Sequence, residues 1–180
     1  MPAKPRPNWS AAKDELAHFD RTALMGLVKD LFALSPHNSA FIAARLGLGS
    51  DPLAPYRKTI SRWIRPDVFR GQDVSVAKAK KAISDYRKAI GKPEGIAELS
   101  VFYCEEAARL LSDCGMEDEG YFNALVRMYG QALAVSTDLP EPVRNSLLLR
   151  LDAIRSNLRD IGWGVGDAMN ELWIEHVAAE

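Results

Sequence analysis

Helix-capping residues recur along this chain at intervals that leave little room for anything but helices. Ser10, Asp20, Ser35-Pro36, Asp51-Pro52 and Asp167 stand where helices would begin, and Gly91-Lys92-Pro93, Gly115 and Pro140 where they would end. A capping side chain accepts the free N–H groups of a first turn, proline fits the first helical position, and glycine with a following proline closes the last turn. Between these stops the apolar residues are spaced by threes and fours, the signature of one helix face, and no stretch alternates with period two. The expected fold is all-α, a single-domain bundle or short helical-hairpin array of about eight or nine helices.

The periodicity predicts helices over about 11–18 and 20–34, the second with Leu24, Leu27, Val28, Leu31 and Phe32 on one face. Helices over about 36–46 and 52–65 follow, with Tyr56, Ile60, Trp63 and Ile64 inward in the second. After a loop at Pro66 and Gly71, residues 75–90 turn Ala79, Ile83, Tyr86 and Ile90 inward. From Pro93 to Cys114 the stripe is Ile96, Leu99, Tyr103, Ala107 and Leu110. Residues 119–136 carry Phe122, Leu125, Val126, Tyr129, Ala132 and Leu133, and residues 141–161 carry Leu147, Leu151, Ile154, Leu158 and Ile161. A glycine-rich corner, Gly162-Trp163-Gly164-Val165-Gly166, leads to a last helix through about 177, capped by Asp167. Ile83, Tyr86, Ala89 and Ile90 align with Val126, Tyr129, Ala132 and Leu133 at an offset of 43 residues, a spacing compatible with a helical-hairpin repeat.

At 180 residues the chain is long enough for one domain with a full hydrophobic core, without disulfide or metal staples. Residues 1–9, basic and proline-rich, read as a flexible tail and not a signal peptide, and residues 10–180 as one helical domain. Cys104 and Cys114 fall on different sides of one helix and cannot pair with each other. Unpaired thiols point to a reducing, cytoplasmic setting, and no apolar run approaches membrane-spanning length.

Charge divides the chain. Residues 1–92 hold 17 Lys+Arg against 8 Asp+Glu, a balance of +9; residues 93–180 hold 6 against 16, a balance of −10. The domain thus has a basic half, 10–92, and an acidic half, 93–180. Such asymmetry bears on association with partners rather than on fold.

Three stretches carry a resemblance. Asp30-Leu-Phe-Ala-Leu-Ser-Pro-His-Asn-Ser-Ala-Phe-Ile-Ala-Ala-Arg-Leu46, Lys78-Ala-Lys-Lys-Ala-Ile-Ser-Asp-Tyr-Arg-Lys-Ala89 and Gly162-Trp-Gly-Val-Gly-Asp-Ala-Met-Asn-Glu-Leu172 resemble, in order and spacing, a bacterial family of small helical proteins classed as a domain of unknown function. The likeness spans roughly residues 13–173. It implies a single-domain, all-helical, cytoplasmic protein with no activity assigned and no catalytic residues to carry over.

The basic middle is the main functional lead. Between Arg57 and Lys92 stand eleven cations against Asp67, Asp73 and Asp85, a net +8. Arg57, Lys58, Arg62, Arg65, Lys78, Lys80, Lys81, Arg87 and Lys88 are the candidate partner-binding or nucleic-acid-binding residues. They could neutralise phosphates, with Trp63 or Tyr86 offering stacking, or face the protein's own acidic half, within one chain or between two. A helix-turn-helix built from Phe41–Gly47 and Thr59–Trp63 has suitable residue types. Its connection is too long, since that motif wants a turn of about 3–4 residues.

Other features favour structural roles. Gly162, Gly164 and Gly166 read as a tight helix corner pinned by a buried Trp163, not an anion cradle, because no strand precedes them and the flank is acidic. Glu94, Glu98 and Glu105 form one acidic row and Asp167, Glu171 and Glu175 another, either solvated or partnering the basic helices. Glu15-Leu-Ala-His18 is half of a di-metal motif whose second copy is missing. Cys104 and Cys114 read as core thiols. The expectation is a non-enzymatic interaction or adaptor protein without cofactor, metal or catalytic residues. It would bind a charged protein partner or self-associate; the alternative is a nucleic-acid-binding accessory protein using helices 57–92.

Overall fold

The computed structural model describes residues 8–177. Nine α-helices and one 3-10 turn make up the described residues, with no strand. They are α1 (Trp9–Leu16), α2 (Arg21–Leu34), α3 (Pro36–Arg45), α4 (Ala54–Ile64), α5 (Val76–Ala89), α6 (Pro93–Cys114), α7 (Glu119–Thr137), α8 (Val143–Asn157) and α9 (Val165–Val177), with the 3-10 turn at Val68–Arg70. The expected all-α fold is the observed one. Residues 1–7, most of the expected tail, lie outside the described residues.

The longest helix, α6, is the axis of the core. It packs against α4, α5, α7 and α8, and buries Leu99, Tyr103, Cys104, Ala107 and Leu110 among its neighbours. Gly95 stands where Tyr86 of α5 crosses α6, and a Cβ there would overlap the Tyr86 hydroxyl and ring. The echo between residues 83–90 and 126–133 has a plain cause: α5 and α7 both lay a face on α6, burying Ile83, Tyr86 and Ala89 on one side and Tyr129, Ala132 and Leu133 on the other. Ile90 and Val126, aligned in that echo, are only partly buried.

Polar pins fix the packing. The Tyr121 hydroxyl donates to the Ile64 carbonyl at 2.8 Å, joining α7 to the end of α4. Arg45 donates to the Ala89 carbonyl at 3.0 Å, holding α3 against the end of α5. Arg150 of α8 reaches Glu105 at 2.7 and 2.9 Å and Glu98 at 2.6 Å, a fork clamped on one face of α6. The expected acidic row therefore splits: Glu98 and Glu105 are engaged, and Glu94 is exposed.

Several local expectations need correction. The first helix is capped by Asn8, whose side chain accepts from Ala11, so Ser10 lies inside it. Asp51 accepts from the Leu53 N–H in a turn, and α4 starts later, at Ala54. Asp167 sits in the first turn of α9 and does not precede it. Trp163 is 64% exposed, not buried. What closes that corner is Gly166, where a Cβ would overlap the Arg159 carbonyl.

The largest departure concerns α2. Asp20 caps it as expected, accepting from Ala23 at 2.7 Å. Its apolar face exists, but neither α1 nor α2 contributes a buried residue. Helix α2 packs substantially on α3 alone, outside the core.

Candidate functional site

Three helices of the basic half form a groove. Ser35 caps α3 and Ser75 caps α5, each accepting an N–H of its helix's first turn. The Ser75 N–H in turn donates to the Trp63 carbonyl at 2.8 Å, so the start of α5 is fastened to the end of α4. Helix α3 lies across α5. The space left between them is a cavity of about 580 Å³, floored mainly by apolar atoms of Pro36, Ala40, Pro55, Tyr56 and Ala82.

Cations line its rim. Lys58, Arg62 and Lys78 border the groove, and none of them forms an ion pair among the described residues. Two are held by an aromatic ring: Lys78 Nζ lies 3.7 Å and the Arg62 guanidinium carbon 4.4 Å from the Trp63 ring centroid. Ring quadrupoles attract cations at such distances without neutralising them. Trp63 packs against the core, as its inward position predicts, and its half-buried ring also faces the groove.

The floor has the opposite sign. Asp85 is only 8% exposed, and Lys81 Nζ contacts its two carboxylate oxygens at 2.8 and 2.9 Å. His37 Nε2 stands 3.5 Å from the same carboxylate. Tyr56 is 4% exposed, and its hydroxyl is buried without a hydrogen-bond partner. Burial first, then the nearby Asp85 charge, pushes that hydroxyl above its ordinary pKa.

The nine candidate cations are thus not one patch. Arg57 pairs with Asp51 at 3.0 Å and with Glu98 at 3.2 Å. Arg65 reaches the buried Glu106 at 3.1 Å and Asp113 at 3.9 Å. These two cations face acids of α6, in the acidic half. Lys81 is taken up by Asp85. Lys80 and Arg87 sit about half a turn or more round α5 from Lys78, and neither they nor Lys88 line the groove. That leaves Lys58, Arg62 and Lys78 as a converging set.

Sequence reasoning overlooked His37, Tyr56 and Asp85 as groove residues. A signal existed for Asp85, which stands four residues after Lys81 on one helix, the spacing of a side-chain pair. For His37 and Tyr56 no local pattern tells which neighbour they meet. The helix-turn-helix pairing does not form: α3 packs on α2 and α5, and makes no substantial contact with α4. Glu15 and His18 are both exposed, and no cluster of three metal-ligating side chains occurs among the described residues. Cys104 is fully buried and Cys114 partly so. Asp167, Glu171 and Glu175 form an exposed row on α9.

The chain matches no protein-family model, and no curated protein or solved structure was found to be similar to it.

Proposed function

We propose that this chain is a non-enzymatic helical interaction module that docks an acidic, partly apolar protein segment in the groove between α3, α4 and α5. One observation supports this above the others: Lys58, Arg62 and Lys78 converge on the rim of a mainly apolar cleft whose one acid, Asp85, is held by Lys81, and among the described residues no ion pair neutralises these three cations. A carboxylate-bearing amphipathic segment matches both parts, since its apolar side chains would fill the floor and its acids meet the rim.

The division of the basic run argues against nucleic acid as the first choice. A phosphate track needs cations in succession along one surface. Here Arg57 and Arg65 are paired with acids, and Lys80 and Arg87 lie round the helix from Lys78. Arg62 and Lys78 also occupy the neighbourhood of the Trp63 ring that a base would need. The unpaired thiols of Cys104 and Cys114 support a reducing cytoplasm, and no described helix is long and apolar enough to cross a membrane.

The test is a fluorescence-anisotropy titration of the full chain against a Glu-rich amphipathic peptide, and against mixed DNA and RNA oligonucleotides. The peptide should bind, weaken as salt rises, and lose about tenfold or more in affinity with Lys58→Glu plus Lys78→Glu. Tighter binding of oligonucleotides, lost on Lys80→Glu plus Arg87→Glu, would replace this proposal with the nucleic-acid one.

A further inference from the structure

Helix α2 carries more apolar surface than one neighbour can cover. Leu24, Leu27, Leu31 and Leu34 form one seam, spaced by three, four and three. Met25, Val28 and Phe32 form a second beside it, spaced by three and four. At about 100° per residue the two seams span roughly half the helix circumference. A two-helix hairpin uses one seam. A helix with two adjacent seams is built for a bundle, with neighbours on two sides.

Among the described residues α3 is the one helix that packs on α2 substantially. Met25 is 61% exposed, Phe32 44% and Leu34 74%, and α3 adds the exposed Phe41 beside them. With an aromatic side chain offering about 150–250 Å² and Leu or Met somewhat less, these residues together with Leu24, Leu27, Val28 and Leu31, each about two-fifths exposed, leave on the order of 600–800 Å² of apolar surface on the hairpin. The largest patch on a typical monomer is about 300–600 Å², whereas a stable interface takes about 800 Å² from each partner.

Charge narrows the occupant. The hairpin with its cap, residues 20–45, holds Arg21, Lys29 and Arg45 against Asp20 and Asp30, a balance of +1. The polar side of α2 therefore lacks the lysine and arginine excess by which interfacial helices are drawn to anionic lipid. It lacks equally a sign with which to select a charged protein. What it matches in size, apolarity and neutrality is the same face on another molecule.

We infer that the α2–α3 hairpin is a homodimerisation element, in which the hairpins of two copies pack face to face as a four-helix bundle about a twofold axis. The same patch serves both partners, so the contact closes at two and does not propagate. Because α3 also supplies His37 and Ala40 to the groove wall, one dimer presents two grooves, and a partner with two acidic segments would gain avidity. The dimer does not depend on what the groove binds.

Sedimentation equilibrium of the full chain across a concentration series, in low and in high salt, tests this. A dimer that persists in high salt is expected, because apolar burial is not screened as ion pairs are; groove binding should weaken in the same buffers, so the two proposals fail separately. Met25→Glu with Phe32→Glu should raise the dimer dissociation constant about tenfold or more while leaving the circular dichroism of the body unchanged. Leu34→Lys, at the most exposed of these positions, should act in the same direction and serves if the double variant is misfolded. A single-chain mass at tens of micromolar, a dimer indifferent to both variants, or a dimer dissolved by salt overturns the inference. So does a monomer that co-sediments with phosphatidylglycerol vesicles, which would give this face to lipid.

Discussion

Lys78 Nζ rests 3.7 Å from the centroid of the Trp63 ring, so the first exposed cation of α5 is positioned by the last aromatic of α4. The contact holds a charge at the groove rim that no acid neutralises among the described residues. Lys78→Ala should therefore cost about 0.5–1 kcal/mol of stability through the lost cation–π contact. Lys80→Ala, a change on the same helix outside the groove, should stay within about 0.5 kcal/mol of the parent. Urea denaturation compares the two, and equal midpoints for the two variants would count against a fixed Lys78–Trp63 contact.

Arg150 binds Glu98 and Glu105 together, and Glu98 also receives Arg57. Hydrogen bonds donated to Glu105 first, and to Glu98, keep the Arg150 guanidinium charged beyond its ordinary range, against the opposing effect of burial. Replacement of Arg150 by Met leaves two part-buried carboxylates facing each other. The loss should be about 1–3 kcal/mol, below the cost at a fully buried pair because water still reaches the site. Adding Glu105→Gln to Arg150→Met should recover part of it. A double variant no more stable than the single one would show that repulsion between the carboxylates is not the cause.

Helices were largely legible in the sequence because their signals are local. Asp20, Ser35 and Ser75 stand at the N-caps of α2, α3 and α5, and the inward stripe of α6 matches the buried Leu99, Tyr103, Ala107 and Leu110. The face of α2 was equally legible, yet its periodicity could not say whether another helix would lie on it. An amphipathic stripe encodes a demand for burial, not the identity of what satisfies it. The charge division was read correctly as composition, but not as geometry. Arg57 and Arg65 project to α6 while Lys58 and Arg62, their near neighbours in sequence, line the groove. Adjacent helical positions point about 100° apart, so a dense basic run is dispersed around its helices unless tertiary packing gathers part of it. The groove is such a gathering, made by α3 crossing α5, a contact with no signature in the residues of either helix.

Gly95 admits Tyr86 at the α5–α6 crossing, with no room for a Cβ between them. Gly95→Ala should raise local helix propensity yet destabilise the protein by about 1–3 kcal/mol, because overpacking outweighs the backbone gain. Tyr86→Ala in the same chain opens the space, so the added alanine should then be neutral or better. A double-mutant cycle in urea measures that coupling; additive costs would mean that the tight approach is not what constrains position 95.

Alkaline pH tests the core most directly. Burial pushes the hydroxyls of Tyr103, Tyr121 and Tyr129 well above their ordinary value of 10.0, and the thiol of Cys104 well above 9.0. In the unfolded chain these groups release protons at their ordinary values, whereas in the folded chain they retain them. The unfolded state then binds fewer protons, so stability falls as pH rises, by up to about 1.4 kcal/mol per pH unit for each such group. Their contribution is fully present below about pH 9 and is lost progressively above about pH 10. Urea midpoints measured from neutral to strongly alkaline pH should hold steady and then drop steeply. The tyrosinate absorbance of these three residues should appear only as the circular dichroism collapses. Tyr129→Phe removes one ionisable group, with its 3.3 Å hydrogen bond to the Leu151 carbonyl, and should make the alkaline decline shallower. Tyrosinate formation by all five tyrosines while the helices remain intact would mean that Tyr103, Tyr121 and Tyr129 are open to solvent, against the packing of α6 and α7.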